Sequence, residues 1–408
     1  MGLILGSVDA GEIGVDPGSF LIVVVTAAVA GTIAALVAGR GLMLPSVVIE
    51  LVLGVVVGPQ LLDLASVDSF TDFFSSLGLG MLFFFAGYEI DLRRIRGMPL
   101  RLGLLGWGFS LLIAYSIGGL LAAAGIVFSL LYTGSAMATT AIGTLIPILS
   151  DSGELKTRFG TYLLAAGAVG EFGPIMLLTL GLTTSSPLHE AAILIAFVAL
   201  AVGVAMLTIR SSGRTIPLLE RTLEASSQLA VRWIVVLVFA LALLASDLGL
   251  DLLLGGFAAG LITREILRDR EVGVFDSKLT AIAFGFFVPF FFVVSGMSLD
   301  VDALFGSASG VLKMFLFLGL FLLVRGAPSL LLYRRALAAR ERLALAFFTS
   351  TQLPLVLAIT TVAVDAGEMR TSTAAALVGA AVLSTLIYPI VGLRLRRETA
   401  GAPAPAPV

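Results

Sequence analysis

One carboxylate, Glu171, stands near the middle of an otherwise apolar stretch, residues 159–182. A charged acid at bilayer depth costs several kcal/mol, roughly 2.5–3.5 even on the mildest insertion scales, so its retention points to a use. Gly170 precedes it and Gly173-Pro174 follow, which leaves the backbone around it thin and interrupted. An isolated acid of this kind can hold a proton and a metal cation in turn. That is the chemistry ion-coupled transport needs.

Two polar clusters accompany it, each near a proline: SAMATTAIGTLIP at 135–147 and TSTQLP at 349–354. Around Thr139-Thr140 and around Thr351, Gln352 and Pro354, carbonyls can leave the helical ladder and turn toward an ion. Hydroxyls, bare carbonyls and one carboxylate form a hard-oxygen set suited to Na⁺, Li⁺ or K⁺ and poorly suited to transition metals. Glu171, Thr139 and Thr140 are therefore the candidate ion-binding residues, with Glu171 and Thr140 as direct ligands of a monovalent cation. Thr351, Gln352 and Glu50 are candidate supporting residues, and no resident cofactor is called for.

Glu171, Glu50 and Arg325 are the charged side chains that hydropathy places well inside apolar stretches. Arg325 is the candidate charge-compensating residue. Two readings of it are open: pairing with a core carboxylate, or snorkelling to water from about 12 Å inside its helix end. Glu171 has a structural alternative as well, an ion pair with Arg325. Glu50 can line the cytoplasmic entrance or serve as a structural hydrogen-bonding group. Asp91 and Asp300 fit caps of short surface helices. The single histidine, His189, is read as lying at an outer helix end.

The elements that must hold these residues follow from composition. The 408-residue chain is 58% hydrophobic and 13% charged, with a mean hydropathy of +1.08. Soluble domains carry about 25% charged residues, so this is a polytopic all-α membrane protein in contact with the lipid bilayer. A formal net charge of −2 with no basic cluster argues against nucleic acid as a partner. Cysteine is absent, which excludes disulfides and thiol chemistry. Residues 1–19 hold Asp9, Glu12 and Asp16 but no basic residue, unlike a signal peptide.

Apolar runs predict thirteen spans, at about 20–38, 44–59, 69–87, 101–124, 127–149, 159–182, 188–209, 229–246, 250–263, 278–296, 310–333, 343–364 and 373–393. The fifth and twelfth carry the polar interruptions. All but Lys313, Arg325 and Arg370 of the 25 basic residues fall in loops after odd-numbered spans or in the tail. By the positive-inside rule the N-terminus lies outside and the C-terminus in the cytoplasm. Glu171 is then about 18 Å from the cytoplasmic end of its helix, close to the midplane.

The chain also resembles itself. FFFAGYEIDL at 83–92 and FFFVVSGMSLDV at 290–301 share G-x-x-[IL]-D. Gly54 and Gly58 in the second span match Gly256 and Gly260 in the ninth, and the two polar clusters match in turn. One intervening span between two sets of six inverts the second set. The expected organisation is an external tail at 1–19 and a first repeat at 20–183. A linking helix at 184–214, a second repeat at 215–396 and a disordered cytoplasmic tail at 397–408 follow, with spans five and twelve as discontinuous crossing helices.

LPSVVIELVLGVVVGPQLL at 44–62, LGLGMLFFFAGYEIDL at 77–92, ATTAIGTLIPIL…GELKTRFG across 138–160 and FVPFFFVVSGMSLDV at 287–301 together resemble the monovalent cation/proton antiporters. The resemblance is to the branch with bacterial sodium/proton and potassium-efflux exchangers, over about residues 20–395. It implies a core of about 100–183 plus 310–395 and a dimerisation unit of about 20–99 plus 225–300. A homodimer in a bacterial inner membrane is implied as well. The acid of the sixth span binds the ion in that family, and Glu171 matches it. The usual preceding residue is Asp, Asn or Gln; here it is Gly170. With no second acid there, and with Lys156, Lys278 and Lys313 all at loops or helix ends, electroneutral exchange of one proton per cation is expected, by alternating access. Arg325 matches the family's basic residue in the eleventh span. The nucleotide-binding domain that the potassium-efflux relatives often add is not expected here.

Two other functions fit an inverted-repeat scaffold: a cation channel or sensor, and a sodium-coupled organic-anion symporter. A channel needs a continuous polar pore, and an anion symporter needs more basic groups at the crossing than this sequence offers. Catalysis is not expected, because there is no His-Glu-x-x-His, no Ser/His pair within the spans and no aspartate dyad.

Overall fold

The computed structural model describes residues 16–39, 45–90, 92–181, 228–248, 252–267 and 273–400, with a few positions between 196 and 203. Asp91, His189, most of the predicted seventh span and both chain ends lie outside the described residues.

Some helices start at side-chain caps. Asp16 caps α1 (Pro17–Ala38), accepting from Gly18 N at 2.9 Å, with Pro17 at the first helical position. α2 (Ser46–Val57) follows, and Asp68 forms a capping box with Thr71 to open α3 (Ser69–Tyr88). Then come α4 (Met98–Ala123), α5 (Leu130–Met137), α6 (Ile142–Asp151) and α7 (Arg158–Gly181). Beyond residue 228 lie α8 (Leu229–Asp247), α9 (Leu252–Leu267), α10 (273–297) and α11 (308–332). The last described helices are α12 (Ala339–Thr349), α13 (Pro354–Asp365) and α14 (Thr371–Ala400). No strand occurs among the described residues.

Seven of the described helical stretches are long and apolar enough to cross a membrane, and Ser46–Val57, Leu130–Ile146 and Val231–Ala245 are shorter apolar stretches. Faces turned outward are greasy, as on α4, where Leu104, Leu105, Phe109, Leu112 and Leu120 are exposed. Such apolar exposure belongs against lipid chains.

The order of elements recurs. α3 is followed by a single turn at Leu92–Ile95, a long α4, the interrupted pair α5–α6 and a long α7. α10 is followed by a single turn at Val301–Phe305, a long α11, the interrupted pair α12–α13 and a long α14. Asp300 caps the second single turn, accepting from Ala303 N at 2.8 Å, as its sequence position predicts. The glycine pairs explain how the halves interlock. A Cβ on Gly54 of α2 would lie 2.1 Å from Val293 O in α10, and one on Gly260 of α9 would lie 2.0 Å from Phe84 O in α3. Each half thus lends its glycine helix to the other half's phenylalanine-rich helix.

α10 and α11 each widen into one π-turn, at Ala283–Phe287 and Leu322–Gly326. Each ends two residues before a proline, Pro289 or Pro328, whose missing N–H frees a carbonyl in the turn. Arg325 sits in the second of these turns, buried together with its neighbours Val324 and Gly326.

Candidate ion-binding site

The two interruptions expected from the polar clusters are present and they meet. α5 ends at Met137 and α6 begins at Ile142; α12 ends at Thr349 and α13 begins at Pro354. Pro354 cannot donate to the ladder, which stops α12 there. At the other break the hydroxyls of Thr139 and Thr140 reach across to the second interruption, toward Gln352 Oε1 and Thr349 O. Ala141 N donates to Thr351 O at 2.8 Å, so backbone joins backbone between the breaks. The Gln352 amide donates to Met137 O at 3.0 Å, and Gln352 Oε1 lies 3.0 Å from the Thr139 hydroxyl. That hydroxyl is also 3.0 Å from Ala136 O, and its one proton serves one acceptor at a time. α14 holds the second break from behind: Ser384 and Thr385 donate to Gln352 O at 3.0 and 3.1 Å.

α7 is tied to the first break through a proline. Pro174 has no N–H to give to the carbonyl of Gly170, four residues earlier. Thr140 N takes that carbonyl instead, at 3.2 Å. The next residue, Glu171, is only 1% exposed. Its carboxylate is turned to the backbone N–H groups of Ile142 and Gly143 in the first turn of α6, and Oε2 has no hydrogen-bond partner. A buried carboxylate oxygen without a partner is costly unless something else comes to occupy it.

Arg325 is 3% exposed, so it does not snorkel to water. It also pairs with neither Glu171 nor Glu50. Its Nε and Nη2 donate to Thr140 Oγ1 at 2.9 and 2.7 Å, Nη2 also to Ala166 O at 3.1 Å, and Nη1 to Ser110 Oγ at 3.2 Å. Thr140 Oγ1 in turn donates to Thr349 O at 2.5 Å. The cation is thus relayed onto the C-terminal carbonyl of α12, while the carboxylate faces the N-terminal amides of α6. Each charge faces the helix end of opposite partial charge.

One expectation changes as a result. Thr140 Oγ1 accepts two hydrogen bonds and donates one, which uses its whole capacity, so in this arrangement it has no lone pair for a cation. It acts as the acceptor of Arg325, and Thr139 is the hydroxyl with acceptor capacity to spare. Thr351 contributes its carbonyl to the site, while its hydroxyl returns to Phe347 O in the last turn of α12 at 3.3 Å. Glu50 is 3% exposed on α2, with Ser46 as its hydrogen-bond partner and Oε2 unpartnered. It lies inside the packing of α2 and is not exposed at an entrance.

Sequence reasoning passed over Ser110, Ser384, Thr385 and Thr144. Ser384-Thr385 is a polar pair inside an apolar helix and was a readable signal; Ser110 and Ala166 O could be found only from where Arg325 points. Thr144, on the first turn of α6, is 6% exposed and its hydroxyl has no partner. No cluster of His, Asp or Glu able to hold a multivalent metal occurs among the described residues.

A cavity of about 500 Å³ separates α3 and α10 from α13 and α14; Asp72, Ser75, Leu79, Ser298, Asp300 and Asp365 are among the residues around it. Leu82, about one turn beyond Leu79 on α3, lies with Ala86 and Glu171 Oε1 around Gly143 of α6.

Residues 24–393 match the protein family described as sodium/hydrogen exchanger, transmembrane. The probable Na⁺/H⁺ antiporter 3 of Methanocaldococcus jannaschii is 27% identical over 64% of this chain and 67% of its own length. The Na⁺/H⁺-K⁺ antiporter GerN of Bacillus cereus is 28% identical over the same shares. The putative Na⁺/H⁺ antiporter YjbQ of Bacillus subtilis is 24% identical over 88% of this chain but only 60% of its own length. The solved structure of the sodium proton antiporter MjNhaP1 of Methanocaldococcus jannaschii has the same fold, with a TM-score of 0.59 at 18% identity, covering 94% of this chain and 98% of that one. This chain is a multi-pass membrane protein that belongs to the sodium/hydrogen exchanger family.

Proposed function

We propose that this chain is a secondary antiporter exchanging protons for a monovalent cation, Na⁺, Li⁺ or K⁺. The observation that carries the reading is the Glu171 carboxylate: buried, with one oxygen unpartnered, at the meeting of two interrupted helices. A proton and a dehydrated cation are the two occupants that satisfy such an oxygen, and they exclude each other. The relatives named for Na⁺/H⁺ and Na⁺/H⁺-K⁺ exchange support the same substrates.

In this reading the chain crosses the membrane thirteen times, as two inverted sets of six with a linking helix, and its interrupted helices cross at the midplane. α4–α7 with α11–α14 form the moving core, and α1–α3 with α8–α10 the dimeric scaffold. Only states loaded with a proton or a cation pass between the two sides. Glu171 is the one core group that alternates its occupant, because Arg325 remains charged throughout. The exchange is then one proton per cation and moves no net charge.

The test is cation-dependent proton flux in proteoliposomes of the purified protein. Dissipation of an imposed pH gradient on adding Na⁺, Li⁺ or K⁺, with no transport current on a solid-supported membrane, is the expected result. Flux of cation without counter-movement of protons would assign the chain to a channel instead.

A further inference from the structure

The Arg325 guanidinium occupies space that belongs to another residue. A Cβ built on Gly170 would lie 2.3 Å from Arg325 Nη2, 3.0 Å from its Cζ and 2.8 Å from Thr140 Oγ1. Real Cβ atoms essentially never come as close as 2.3 or 2.8 Å, so the guanidinium lies where it does against α7 only because residue 170 has no side chain. The same contact places Nη2 on Ala166 O at 3.1 Å, one turn before Gly170 on that helix. The carbonyl of Gly170 is bonded to Thr140 N at 3.2 Å. Gly170 is therefore where Arg325, Thr140 and the helix bearing Glu171 come together.

We propose that Gly170 is a positioning residue for the ion site, its bare backbone being the seat of the Arg325 guanidinium. Any side chain there displaces the guanidinium from Thr140 Oγ1 and from Ala166 O together. Thr140 would then lose both donors, and its bond to Thr349 O at the end of α12 would be free to rearrange. The fixed positive charge would move relative to the carboxylate on the very next residue. Residues 170 and 325 thus behave as one unit, in which the shape of one dictates the length of the other. Lysine at 325 ends near the position of the arginine Cζ, so it needs less of this space than the outer nitrogens do.

This inference rests on the antiport reading for its functional consequence, though not for its geometry. The experiment compares wild type, Gly170→Ala, Arg325→Lys and the double variant, reconstituted for exchange and melted in detergent. Gly170→Ala should raise the apparent cation KM about tenfold or more and displace the pH profile of exchange. Its melting temperature should fall by several degrees. The double variant should return KM, pH profile and melting temperature to those of Arg325→Lys alone. Gly170→Ala with wild-type exchange and stability, or a double variant as impaired as the two single changes combined, would overturn the proposal. Absence of exchange in wild type would remove the antiport reading, while the four melting temperatures would still decide whether residues 170 and 325 share one space.

Discussion

Thr139 and Gln352 lie 213 residues apart in the chain, yet their side chains approach to 3.0 Å. Gln352 also spans back to Met137 O, so one side chain ties the end of α5 to the second break. A residue that reaches across in this way sets the distance between the two interrupted helices. It thereby fixes where the amides facing Glu171 lie.

Replacing Gln352 by Leu removes both contacts and leaves Met137 O buried without its partner. We expect a loss of stability of about 1–3 kcal/mol, the cost of an orphaned buried group. Exchange should fall by at least tenfold. Gln352→Glu, which keeps the length but cannot donate when ionised, should restore neither. Melting curves and proteoliposome flux of the two variants check this.

Arg396, near the end of α14, binds Glu154 at 3.0 Å and Glu341 at 2.6 Å, and lies over the ring of Phe159. The clasp holds the loop after α6, the start of α12 and the last helix together on one side of the molecule. Arg396→Ala leaves two carboxylates facing one another and should cost about 1–2 kcal/mol. Removing Glu154 and Arg396 together should cost less than the sum of the separate losses. A double-mutant cycle on melting temperature measures the difference.

Asp68 couples two helix starts, capping α3 through Thr71 N at 2.7 Å and accepting from Asp16 N at 2.6 Å. Burial pushes its carboxyl up, but the hydrogen bonds from Asp16 and Thr71 outweigh it, and the group is held below the usual aspartate range. A depressed folded value means that the stabilisation is present above the unfolded value and is lost as pH falls through the folded one. Asp68→Ala should cost about 1 kcal/mol at neutral pH, with the gap to wild type closing only in strong acid. Melting temperatures between neutral pH and pH of about 3 read this directly.

The chain contains no cysteine, so single introduced thiols report position without background. Ser298 is exposed beside the cavity at the end of α10, and Ser152 lies in the turn after α6. With the N-terminus outside, Ser298→Cys should react with a membrane-impermeant maleimide on intact cells, and Ser152→Cys only after lysis. The reverse pattern would invert the orientation.

Much of this architecture is legible in the sequence because its causes are local. Apolar runs predict most of the described helices to within about five residues, but α14 continues to Ala400, past the expected end at 393 and into the segment expected to be disordered. Pro354 and the threonine pair mark both interruptions, and Asp300 reads as a cap. The partners of Arg325 are not local. Thr140 is 185 residues away and Ser110 is 215. Which acceptor the guanidinium finds depends on the empty space over Gly170, which no periodicity records. The same holds for Glu50, whose burial depends on how α2 packs against α10 and α1 and not on its own helix. The reading of Thr140 has the same origin: residue type suggests a cation ligand, while in this structure its hydrogen-bond capacity is taken by Arg325 and Thr349 O.

The central claim is that a proton and a cation compete for the Glu171 carboxylate. The measurement that tests it most directly is the apparent cation KM of reconstituted exchange at a series of pH values, for wild type, Glu171→Asp and Glu171→Gln. Competition predicts that the wild-type KM rises about tenfold for each unit of pH below the carboxyl's titration, because each proton bound removes one cation site. Glu171→Asp should keep reduced exchange, and Glu171→Gln should fold as wild type but exchange nothing, since an amide neither releases a proton nor balances a cation. A wild-type KM that stayed constant across the range, or a Glu171→Gln variant that exchanged normally, would contradict the account.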